Sequence, residues 1–317
     1  MRAFLAIARL TALEAVRRPV FLLVTLCGLA GTSLMPFLLH YTLGDAPRAI
    51  RDGAMGLLWT GGLLLAAWSA AEALGGELRR GTAGVALSKP VGRGTFLAAK
   101  AVGVALAVAG HGAASVAAML LAVRAGAVEW HLDWTAAGPA LAVFPLALGA
   151  AAWRNRRWGR PFGSAACGLL WVGMGVALAV AACRAVPSDG AVFPRNLDWG
   201  IAAAGAVACL PAVMAAAAAT ALSVRLPTVG AVAVVAALFA GGLVADTLLG
   251  PWLEESFWAR AAFAVLPDGQ AFWLTDALDA GKGVPAGYAA GAAGYALAWA
   301  GAWLAAGAWG FGRAEVG

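Results

Sequence analysis

LAAKAVGVALAVAGHGAASVAAMLLAV, residues 97–123, carries a single charge, Lys100, in 27 residues. About 20 consecutive apolar residues suffice for a helix to cross a hydrocarbon core of roughly 30 Å, so this stretch reads as a transmembrane span. Comparable runs, bounded by Gly, Pro and charge, lie to either side at 20–43, 54–75, 136–153, 164–184, 200–222, 229–250 and 287–311. The pattern predicts an all-α polytopic transmembrane helical bundle of about eight spans. The run at 136–153 is short and contains Pro139 and Pro145, which leaves a six-span core with a shallow hairpin as the alternative.

Composition agrees. Of 317 residues, 62% are hydrophobic and 12% charged, more apolar surface than a soluble core takes up, so lipid is the main solvent. Residues 1–19 are expected to form a basic helix on the inner surface, with Phe4, Ile7 and Thr11 on one side and Arg2 and Arg9 opposite. Residues 20–317 then form one membrane domain. The apolar run after Arg17 and Arg18 exceeds the core of a signal peptide and lacks a cleavage site, so it is read as a retained span. Cys27, Cys167, Cys183 and Cys209 all fall in or at the ends of apolar runs, where cysteine behaves as a small hydrophobe.

The net charge of +6 resides in short loops rather than in a basic stripe with interleaved aromatics, which argues against nucleic acid. Lys and Arg collect on the cytoplasmic side of short loops. With the N-terminus inside, fifteen of the 22 Lys and Arg fall on inner segments, among them Arg79, Arg80, Arg154, Arg156, Arg157, Arg160 and Arg225. Both termini are therefore expected in the cytoplasm, in a multi-pass protein of the bacterial inner membrane. Trp130, Trp134, Trp199, Trp252 and Trp258 lie at predicted outer boundaries as interface anchors. Residues 251–286 alternate aromatic with charged positions and are expected to lie in the outer interface.

Catalysis has little to work with. The ionisable residues inside spans are Glu72, His111 and Asp246; Glu72 is placed to pair with Arg79 or Arg80, and His111 to hydrogen-bond a neighbouring helix. The spans hold no HExxH, no GxSxG and no cluster of His, Cys and acids. A GxxxxGK[ST] phosphate loop does not occur, and neither a metal nor a cofactor is implied. Gly287-Tyr-Ala-Ala-Gly291 is a GxxxG, suited to close helix packing within the bundle or between subunits.

Glu77 to Lys100 is the most informative loop. Thr82 can cap a short helix reaching Ser88, Pro90 biases Lys89 out of helical geometry, Thr95 can cap the next span, and Lys100 can snorkel to the inner surface. A short helix tied by tight turns to two spans is a rigid lever. The pattern Glu77, Gly81-Thr82, Leu87-Ser88-Lys89-Pro90-Val91, Arg93, Phe96 and Lys100 resembles the coupling segment of type-2 ATP-binding-cassette (ABC) exporter permeases. The basic stretch Met1 to Pro19 is similar to the surface helix that opens such permeases. Leu222-Ser-Val-Arg-Leu-Pro227, Gly241-Gly242, Leu266-Pro267 and Phe311-Gly-Arg-Ala-Glu315 resemble the family's C-terminal half.

The resemblance implies a transport subunit without enzymatic activity, coupled to an ATPase through residues 76–96: Glu77, Arg80, Gly81, Thr82, Val85, Leu87, Ser88, Lys89, Pro90 and Arg93. ATP and Mg would be bound by that separate cytoplasmic ABC ATPase, and a second permease subunit, identical or related, would complete the transporter. The residues alone leave open a secondary carrier, disfavoured by scarce buried charge, and an intramembrane enzyme, disfavoured by the missing catalytic cluster. If the inner placement holds, Ser88→Cys in inverted and right-side-out vesicles will react with an impermeant thiol reagent from the cytoplasmic side; labelling from outside only would reverse the topology.

Overall fold

The computed structural model describes residues 2–39, 45–81, 92–128, 131–183 and 197–312. Among these the regular structure is helical: α1 (Arg2–Arg17), α2 (Pro19–Leu38), α3 (Ala46–Arg79), α4 (Arg93–Ala125), α5 (Trp134–Trp158), α6 (Phe162–Ala182), α7 (Trp199–Ala208), α8 (Leu210–Leu222), α9 (Thr228–Leu249), α10 (Phe257–Val265), α11 (Thr275–Asp279) and α12 (Ala286–Gly312). Among the described residues, seven segments are long and apolar enough to cross a membrane: α2, α3, α4, α5, α6, the α7–α8 pair and α9.

Local chemistry sets the boundaries. Asp133 and Asp198 cap α5 and α7, accepting from Thr135 N (2.8 Å) and Gly200 N (3.0 Å). The 200–222 run divides at Cys209, two residues before Pro211, which sits in the first turn of α8, where its missing N–H costs nothing. Pro139 and Pro145 both lie inside α5 without ending it. Residues 134–182 therefore supply two helices of 25 and 21 residues, and the shallow hairpin is not formed.

The last helix, α12, has 27 residues and no charge, but its glycines and aromatic residues dilute its hydropathy and it is not among the seven. At about 1.5 Å per residue it is roughly 40 Å long, and its two ends meet opposite ends of the bundle. Tyr288 near its start donates to Ala271 O (2.6 Å), while the carbonyls of Phe311 and Gly312 accept from Arg93 at the start of α4. An eighth helix thus traverses the bundle, and its last residues lie at the same end as the α1–α2 junction.

α3, α4 and α7–α8 form the middle, with 67% of the apolar window of α4 buried against 33% for α2, α5 and α9. One apolar core joins α3, α4, α7, α8, α9 and α12 around Leu65, Met119, Met214 and Phe239. A second joins α2 and α4 to the α5–α6 hairpin around Leu29, Leu121, Leu170 and Met174. The hairpin is therefore a lateral addition on the α2–α4 side.

One end of the bundle gathers Arg18, Arg79, Arg93, Lys100 and Arg225 with the α5–α6 turn. The other is closed by acids and arginines. There Arg48 Nε lies 2.7 Å from Asp279, which Arg51 also pairs, fastening α11 to the start of α3. Arg124, nearly buried at the end of α4, donates to Asp133 (2.9 Å), Thr135 (3.1 Å) and the Ala181 carbonyl. Burial pushes the Asp133 carboxyl up, but hydrogen bonds from Thr135 and Arg124, with the Arg124 charge, outweigh it and hold the group below its ordinary range. Residues 253–285 contain no helix longer than nine residues, too short to cross.

Close approach of backbones holds the bundle. A Cβ on Gly103 would overlap the Ala8 carbonyl oxygen, so α1, which buries Ala8, Thr11 and Ala15, presses directly on α4. A Cβ on Gly242 would overlap the carbonyl oxygen of Pro267, where the segment after α10 lies across α9. Gly287 and Gly291, by contrast, have nothing within 4 Å of an added Cβ, so the GxxxG is not used for packing among the described residues. Gly242→Ala should consequently cost about 1–3 kcal/mol and lower the melting temperature. Gly241→Ala, whose nearest neighbour is the movable Leu266 side chain at 3.1 Å, should cost less, and Gly138→Ala should be silent. Melting of the purified proteins in a thiol-reactive dye assay checks the order.

Candidate coupling site

The residues flanking 82–91 are fixed to four different elements. α3 keeps its helix through Arg79 and ends at Gly81, whose φ of 68° is left-handed, a conformation that favours glycine. Arg80 folds back and donates Nε to Gly76 O (2.9 Å), satisfying a carbonyl of the last turn.

Glu72, about two turns before the end of the helix, is the centre of a cluster. It accepts from Arg18 (2.9 Å) and Arg79 (3.0 Å), and the Thr228 hydroxyl donates to it as well. Arg79 also donates to Thr228 Oγ1 (2.7 Å). One carboxylate thereby joins the α1–α2 corner, the end of α3 and the first residue of α9. Of the two arginines expected for Glu72, the structure uses Arg79 and not Arg80. Sequence reasoning missed Arg18 and Thr228; the signals were Pro19 and Pro227, which mark corners where the flanking polar side chains face the same end.

Glu77 accepts from Lys100 at 2.6 Å. Lys100 is 3% exposed and lies 5.6 Å over the Phe96 ring, so it does not snorkel to the surface as expected. Glu77, on the facing helix at the same height, supplies a nearer counter-charge than water does. Thr95 does not cap α4 either, because that helix begins at Arg93, after Gly92, and already contains Thr95. Arg93 donates to the carbonyls of Phe311 (2.8 Å) and Gly312 (3.1 Å) and lies 5.6 Å over the Phe311 ring. It neutralises the carbonyl end of α12, where helix dipoles favour cations.

Of the expected coupling residues, Glu77 and Arg93 are engaged within the bundle, while Arg80 and Gly81 are exposed. Thr82, Val85, Leu87, Ser88, Lys89 and Pro90 lie outside the described residues. His111 is fully buried in α4, its Cε1 3.6 Å and its Nε2 3.5 Å from Cβ atoms built on Gly28 of α2 and Gly61 of α3. Neither ring nitrogen has a hydrogen-bond partner, so the expected bond to a neighbouring helix is not made. Asp246 is exposed and borders a cavity of about 220 Å³ with Asp268 and Tyr295. Among the described residues no group of His, Cys, Asp and Glu is arranged to hold a metal.

Two further cavities, of about 610 and 260 Å³, meet at Trp59, Thr60 and Leu243 and form a groove between α3 and α9. Its walls are apolar toward Ala67 and Val232 and polar at Gln270 and Asp276.

The described residues form a polytopic helical bundle with its ionic ties at the two ends and seven segments long and apolar enough to cross a membrane. Residues 47–152 match the family model described as ABC-2 family transporter protein, a stretch from the start of α3 into α5 that encloses the whole segment between α3 and α4. This match agrees with the resemblance read from the sequence, and over that third of the chain the protein is similar to ABC-2 family transporter proteins. No curated protein matches the chain.

Glu72→Ala should leave Arg18 and Arg79 facing each other without their shared carboxylate. With all three side chains partly exposed, the loss should be about 1–2 kcal/mol, below that of a fully buried pair. Glu72→Gln should fall between that and wild type, as read by thermal melts of the purified proteins.

Proposed function

We propose that this chain is the permease of an ABC exporter in the bacterial inner membrane, with the arginine-rich end in the cytoplasm. A separate ABC ATPase, which binds ATP and Mg, docks on residues 76–96, and a second permease subunit completes the pathway. The observation that carries this reading is the anchoring of both flanks of 82–91. Glu72 and Arg79 tie the end of α3 to Arg18 and Thr228, Glu77 ties it to Lys100, and Arg93 ties α4 to the end of α12. A push on the intervening residues is thereby delivered to α2, α3, α4, α9 and α12 together, which is what an external motor requires of a permease.

The orientation follows the excess of Lys and Arg at that end. The groove between α3 and α9 is the candidate substrate path. Trp59 and Phe239 meet edge to face across it at 6.1 Å, and its apolar walls with a polar mouth suit an amphipathic or hydrophobic cargo. Closure and opening of α3 against α9 would be driven through Glu72, which already bonds the first residue of α9.

Leu87→Glu tests the docking. A packed anchor at an interface is worth about 2 kcal/mol, or roughly thirtyfold in affinity. The variant should reach the membrane in normal yield, retain its melting temperature, and lose co-purification with the ATPase and transport-stimulated ATP hydrolysis. Unchanged association would remove the coupling role from this segment.

A further inference from the structure

The α5–α6 turn carries a feature that coupling does not use. Residues 153–160 read Trp-Arg-Asn-Arg-Arg-Trp-Gly-Arg, with Arg156, Arg157 and Arg160 exposed and Arg154 half-buried. The ion pairs of this end, Arg18 and Arg79 with Glu72 and Lys100 with Glu77, leave these four arginines out. The turn is built rather than loose. Gly159 adopts a φ of 61° and donates its N–H to Asn155 O (2.9 Å), and Asn155 Nδ2 donates to Arg160 O (2.7 Å). On it Trp153 and Trp158, 57% and 56% exposed, pack edge to face with ring centroids 4.8 Å apart.

We propose that this turn is a binding site for the headgroup of an anionic phospholipid. Guanidinium groups match phosphate oxygens bidentately, and a group of four or more basic residues beside a transmembrane helix attracts anionic lipid. A topology signal alone needs the charges but not the indoles. Exposed tryptophan prefers the headgroup level, with one side apolar and one wet, and the paired indoles set the arginines at that depth. Lipid is favoured over an acidic protein by position. The hairpin packs on α1, α2 and α4, lateral to the α3–α4 segment, and its exposed flank carries Leu146, Val172 and Val176, 70%, 65% and 56% exposed, a face for acyl chains. The site rests on the membrane fold and not on the ABC reading.

Native mass spectrometry of the full chain in detergent, titrated with phosphatidylglycerol, cardiolipin or phosphatidylcholine, tests it. The anionic lipids should be retained and phosphatidylcholine lost. Arg156→Gln with Arg157→Gln should weaken anionic-lipid binding by about tenfold, at an unchanged melting temperature, whereas the double substitution to Lys should keep most of it. Trp158→Ala should weaken it less. Equal binding by the Gln variant, equal retention of phosphatidylcholine, or displacement of the lipid by millimolar inorganic phosphate would overturn the proposal. So would a Gln variant that keeps its lipid and loses only the ATPase.

Discussion

The close contact of backbones at glycine and alanine is the constraint on which the rest of this structure depends. In lipid no hydrophobic force draws one helix to another, so association relies on van der Waals packing and on satisfied polar groups. The Gly103 contact with Ala8 and the Gly242 contact with Pro267 bring backbone against backbone, and alanines from Ala215 to Ala219 are buried in α8. Such packing is dense, but it has few large side chains to specify direction. Direction is supplied instead by charge at the two ends, where water meets the bundle.

That division of labour explains where the ion pairs lie. Glu72 with Arg18 and Arg79, Glu77 with Lys100, and Arg93 on the end of α12 form one belt; Arg48 and Arg51 with Asp279, and Arg124 with Asp133, form the other. A charge at mid-depth is costly, and the ionisable group found there, His111, stands between two glycines. The first belt holds both flanks of residues 82–91, so under the proposed coupling to an ATPase the same bonds that orient the helices would carry its stroke. The second belt pins α11 over the mouth of the α3–α9 groove through Asp279, one turn from Asp276 on the groove wall.

Much of this was legible in the residues. Runs such as 97–123 and 229–250 announce helices because the bilayer sets a length and a polarity that few other structures share. Asp133 and Asp198 cap two helix starts and Pro211 opens α8, signals that reading 200–222 as one unbroken span passed over. The α5–α6 hairpin was harder, since Pro139 and Pro145 weaken a helix by local rules; packing of α5 along α6 and α4 overrides them. Lys100 misled because snorkelling is a rule for a lone lysine, and the carboxylate of Glu77 belongs to another helix.

By itself the sequence determined the all-helical bundle, the positions of its spans, the concentration of basic residues at alternate loops and the resemblance to type-2 ABC permeases. All but the resemblance, which rests on the order of particular motifs along the chain, follow from local composition, which acts within a few residues of itself. The tertiary structure alone decided which helices are central, which partners α12 meets at its two ends, and that Arg18, Glu72, Arg79 and Thr228 meet. Those outcomes depend on contacts between residues as far apart as Glu72 and Thr228, and such partners are chosen by the three-dimensional path of the chain rather than by any local pattern.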